Sequence, residues 1–187
     1  MINDIIGRIR TSLTQTFTEV FECFDTDKNL LNYTPAKGGW TINQILIHIS
    51  LTNHFLLILI RKGTTKAMEK SAKADMKTLL ADYHFDWQKI EVVGKHRSFE
   101  WNRPAHMEPV NSVDLADVKI KLQAQLDECL VLLDKLKNGE GILHNTMMSV
   151  NNIGKIDVYH YIYFLGQHAR RHISQMEKIK NEFTLVN

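Results

Sequence analysis

Residues 161–176 near the end of the chain restrict its possible folds more than any other stretch. Read at about 100° per residue, they place Tyr161, Leu165, His168, His172, Met176 and Ile179 on one helical stripe. Two imidazoles therefore lie inside an apolar face. At a spacing of four, their side chains stack one above the other and can reach one object. A buried face with two such polar groups must supply both with partners.

The rest of the chain is read around this helix. Ile5, Ile6, Ile9, Leu13, Phe17, Val20, Phe21 and Phe24 recur at three- and four-residue steps, which predicts an amphipathic helix over about residues 3–25. Pro35 and the pair Gly38–Gly39 break the chain after it. A second helix starts at Thr41, where Gln44 three residues on completes a capping box and Trp40 with Ile45 makes a hydrophobic staple. It is expected to end near Arg61, Lys62 and Gly63. The face centred on His48 holds Gln44, Ile45, Leu51, Thr52, Phe55 and Leu59, and the far side holds Leu46, Ile49 and Leu57. A helix apolar nearly all round is central in its fold or packed on a second subunit.

Residues 64–112 carry the weakest pattern. Met68, Ala72, Met76, Leu79, Leu80 and Tyr83 permit a helix, and Trp87, Phe99, Trp101, Pro104 and Pro109 mark an irregular aromatic segment. So long a connection suggests a crossover that packs near one end of a site. Asp114 and Asp117 open the next helix, whose stripe runs from Leu115 through Val118, Leu122, Leu126, Cys129 and Leu133 to Leu136. Asn138–Gly139 ends it, and a loop through Gly154 leads to the closing helix at about 156–182. No segment outside the loops has strand period, and no internal repeat is present. The expectation is an all-α single domain over residues 1–187: a four-helix bundle with a long crossover between its second and third helices.

Composition narrows the partners. With 23 basic and 21 acidic residues, the net charge of +2 does not point to nucleic acid. Cys23 and Cys129 have no redox or zinc spacing and read as buried free thiols in a reducing compartment. The N-terminus lacks signal-peptide character. Polar residues from Asn43 to His54 interrupt the apolar stretch 42–60 well short of the ~18 unbroken residues of a span. A cytoplasmic protein with a small-molecule substrate is the expectation.

His48 lies mid-face on the second helix, as His168 and His172 do on the last. If those faces meet, three imidazoles converge from two helices, a donor set that suits zinc, nickel or iron and leaves a position for another ligand. The alternative is that all three are core histidines satisfied by hydrogen bonds. Ala169 follows His168, so there is no HExxH and no built-in glutamate base. Phosphate-loop, dinucleotide and nucleophile-elbow motifs are absent as well. Gln175 can support His172 or form a polar edge. Arg171 can meet an anionic group or face solvent. Tyr161 can offer a phenol near the site or simply pack. Gln44 is taken by its capping box, His54 and His160 fall off these faces, and His106 and His144 lie in loops.

The tryptophan-led helix with its central histidine (Trp40 to His48), followed late by His168-Ala169-Arg170-Arg171-His172-Ile173-Ser174-Gln175, resembles the DinB/YfiT-like superfamily. The resemblance is spread over most of the chain, and its specificity rests on these two stretches. It implies a four-helix bundle, commonly a homodimer, with a divalent metal such as nickel or zinc on His48, His168 and His172. Characterised relatives include thiol-dependent S-transferases and a maleylpyruvate isomerase, and others are described as predicted metal-dependent hydrolases. Two functions follow as expectations. One is an enzyme whose metal activates water for hydrolysis or a low-molecular-weight thiol for S-transfer; the other is a non-catalytic dimer in which a metal only stabilises.

Overall fold

The computed structural model describes residues 2–100, 104–109 and 113–186. Four long helices dominate it: α1 (Ile2–Glu22), α3 (Ile42–Ser71), α6 (Leu115–Lys135) and α7 (Val158–Val186). Short helices α2 (Lys28–Leu31), α4 (Met76–Ala81) and α5 (Trp87–Gly94) lie in the connections. Each long helix packs chiefly on two others, in the cycle α1–α7–α3–α6–α1. The stripes read from the sequence form this interior, with Ile9, Leu13, Phe17, Ile45, Ile49, Leu122, Cys129 and Leu165 fully buried. The all-α class holds.

The second helix departs from its expected end, continuing through Gly63 to Ser71. Its buried stripe goes on in small residues, Gly63, Thr64 and Ala67, which an apolar scan undercounts. Gly63 is there for proximity: a Cβ on it would lie 3.1 Å from Val158 of α7. By length and composition α3 could cross a membrane, but most of its apolar window is buried among its neighbours. Ile58 and Leu59 remain exposed.

The helix permitted over residues 68–83 is divided. Met68 ends in α3, and α4 starts afresh behind an Asp75 cap that accepts from the Thr78 amide. In the crossover, α5 packs along α7. Their approach is close at Gly94, where a Cβ would meet Gln167 Oε1 at 2.3 Å. Trp101 of the expected aromatic segment lies outside the described residues.

The loop before the closing helix holds an antiparallel hairpin, β1 (Asn145–Met148) paired with β2 (Gly154–Asp157). Four-residue strands are too short to show a period, and left-handed Asn151, Asn152 and Gly154 make the turn. Asp157 then starts α7, taking the amide of His160 at 2.9 Å and its ring Nδ1 at 2.8 Å, while Tyr83 donates to the other oxygen at 2.6 Å. Fully buried Tyr159 ties the end of α6 to α7, donating to the Leu136 carbonyl at 2.5 Å and accepting from the Gly141 amide at 3.3 Å. Tyr159→Phe leaves both groups a partner short and is expected to cost about 1–3 kcal/mol. A lower urea midpoint at unchanged slope is the signature to look for.

Candidate metal centre

The face of α3 that carries His48 meets the face of α7 that carries His168 and His172, so the three imidazoles share one place. One ring nitrogen from each lies within 4.8 Å of those from the other two. His168 and His172 bring their Nε2 atoms to 3.2 Å. All three side chains are buried.

Local contacts orient two of the rings. His48 donates Nδ1–H to the Met107 carbonyl at 2.7 Å, and His172 donates Nδ1–H to Gln175 Oε1 at 3.0 Å. In a neutral imidazole the other nitrogen is then a lone pair. His48 and His172 thus have Nε2 available as an acceptor or ligand. Such an outer hydrogen bond also fixes the tautomer of a metal-binding histidine. The indole of Trp40 lies over His48 with ring centroids 4.7 Å apart, and the Thr52 hydroxyl sits 3.5 Å from His48 Nε2.

Burial keeps the α7 pair uncharged. Desolvation, then the neighbouring His172 and His48 and the Arg171 charge, holds His168 well below the ordinary histidine value. Desolvation and His48 lower His172 to about 3, against the opposing Gln175 hydrogen bond. Neutral imidazoles are the form that ligates. A donor set of three neutral nitrogens fits a borderline divalent ion. The 3.2 Å separation is close to the edge of a tetrahedron with bonds of about 2.0–2.1 Å, roughly 3.3–3.4 Å. The three-histidine group could hold a metal ion.

The group opens on a cavity of about 330 Å³. Trp40, Thr52 and Met107 line it on the His48 side, and His96, Arg171 and Gln175 on the other. No carboxylate is among the described residues that line it. Gln175 lines the cavity while its Oε1 accepts the His172 ring N–H. Arg171 is not on a solvated face: it is 8% exposed and donates to the Lys95 carbonyl at 2.5 Å, with Ser98 Oγ and the Phe99 carbonyl at 3.4 Å. Arg170 faces α1 instead, bidentate to Glu19 at 2.6 Å. Tyr161 does not line the cavity, because its hydroxyl is used on the Met147 carbonyl of the hairpin. Packing explains it. Gln44 is held in the capping box with Thr41.

His96 and Met107 were not singled out by the sequence. Both come from the crossover, where no periodicity ties a residue to a face. Gly94, two positions before His96, is the only local hint of close approach.

An all-α protein with three converging histidines on facing helices defines a class in which a metal ion could sit between helices. The chain belongs to the DinB superfamily, whose family pattern it matches over residues 11–176. It is also similar to uncharacterized protein YuaE of Bacillus subtilis (strain 168), at 23% identity over 155 residues, 81% of this chain and 84% of that protein. No solved structure matches it.

Proposed function

We propose that this chain is a divalent-metal enzyme acting on a small molecule, with His48, His168 and His172 as the protein ligands. The observation that carries the reading is the convergence of three buried imidazoles at the floor of a 330 Å³ cavity. A zinc, nickel or iron ion held there would supply Lewis acidity toward water, for hydrolysis, or toward a thiol, for S-transfer. The chain's part is positional. Met107 and Gln175 hold two ring N–H groups away from the centre, while Trp40 and the surrounding helices keep bulk water off the imidazoles.

Any thiol must come from outside. Both cysteines are buried; desolvation raises Cys23 and pushes Cys129 up to about 12, so neither presents a thiolate. A low-molecular-weight thiol is therefore the co-substrate in the transfer version of the proposal, and a cytoplasmic homodimer is its setting.

Protein purified without an affinity tag should contain about one zinc, nickel or iron per chain, against little in His48→Ala or His168→Ala. Metal content unchanged by both substitutions would sink the ligand assignment. Turnover of activated esters with and without added thiol then separates hydrolysis from transfer.

A further inference from the structure

His96 shares the cavity with the three-histidine group but stands outside the nitrogen cluster. It follows α5 in a turn whose next residue, Arg97, is left-handed at φ +63°. That conformation is unfavourable for a residue with a Cβ and persists where the surroundings enforce it. Here Ser98 Oγ, which donates to the Val92 and Lys95 carbonyls, and Arg171 hold the turn together. From α7 the Arg171 guanidinium binds the Lys95 carbonyl, Ser98 Oγ and the Phe99 carbonyl, and it stacks over the Phe99 ring at 5.0 Å. Arg171 thus contacts the turn on both sides of His96.

The surrounding charge has one sign. Arg171 is the one formally charged residue among the described lining, and the charges of Lys178, Arg171 and Arg97 all act on His96. His96 Nδ1 is closed to solvent and has no hydrogen-bond partner among the described residues, so a ligand in the cavity meets the ring at Nε2. A neutral imidazole can present Nε2–H to an anionic oxygen, and this wall carries one cation and no carboxylate among its described residues.

We infer that His96 is a substrate-contacting residue and that the substrate carries an anionic group, of the carboxylate class, which His96 recognises while Arg171 positions it. This deepens the proposed function, since it assigns a substrate class to the same cavity. His96 shares the cavity but is not one of the three clustered histidines, so anion binding and metal binding can be tested apart.

Acetate and its uncharged isostere acetamide are suitable probes, titrated into ring-labelled protein and followed by the His96 NMR signals in chelated and metal-loaded samples. Acetate should shift those signals saturably and acetamide should not. His96→Ala should weaken acetate binding roughly tenfold, the value of a charge-assisted hydrogen bond. His96→Gln should recover part of the loss, and both variants should keep wild-type metal content. An equal response to acetate and acetamide, or acetate affinity unchanged in His96→Ala, would overturn the inference. The chelated sample reads His96 even if the metal assignment fails.

Discussion

Metal-free protein taken from pH 7 to pH 5 is expected to lose about 2 kcal/mol of stability from His172 alone. In the folded state His172 protonates only near pH 3, whereas in the unfolded chain it does so at the ordinary value of about 6.5. Between those values the unfolded state binds more protons, so stability rises with pH. Its contribution is complete above about 6.5 and is lost as pH falls toward 3. His168, depressed by the same desolvation, adds in the same direction. Urea unfolding of chelated protein at pH 7, 6 and 5 measures the slope. His172→Leu should flatten it, and an equal slope in that variant would place the acid sensitivity elsewhere.

Chelation at pH 7 should have an effect at least as large. An ion held at a thousand times its dissociation constant stabilises by about 4 kcal/mol, which for a chain of this size is roughly 8–16 °C in melting temperature. Metal-loaded wild type should fall by that order when stripped. His168→Ala should melt at nearly the same temperature with or without chelator. The comparison within each variant matters, because His168→Ala also alters packing. A chelator-induced drop that persists undiminished in His168→Ala would mean that the stabilising ion binds somewhere else. Stabilisation without turnover of any ester or thiol substrate would favour a metal with a structural role.

The long helices were legible because each carries a stripe that repeats over several turns. Leu13, Phe17 and Val20 on α1 and Leu122, Leu126 and Cys129 on α6 all lie where their spacing puts them. The histidine cluster was legible for the same reason: His48, His168 and His172 sit on regular helices, and helical phase converts sequence position into direction. Where phase is lost, so is the reading. Gly63 looked like a terminator because glycine favours helix ends, but tertiary contact with Val158 used its small size instead. Arg171 sits at the margin of its stripe, and only the arrival of the turn at residues 95–99 decides that it is buried. His96 and Met107 belong to a segment whose path is set by what it packs against.

Met107 holds His48 through its carbonyl oxygen, an atom every residue type possesses. A side-chain exchange at position 107 cannot delete that acceptor; it can only move it. The cavity therefore constrains the spacing and path of the crossover here more than its amino-acid identities. Substitutions can accumulate around this point while the imidazole keeps its orientation, whereas a one-residue insertion or deletion would shift the carbonyl out of reach. Sequence drift and loss of the site are thereby uncoupled along this wall of the cavity.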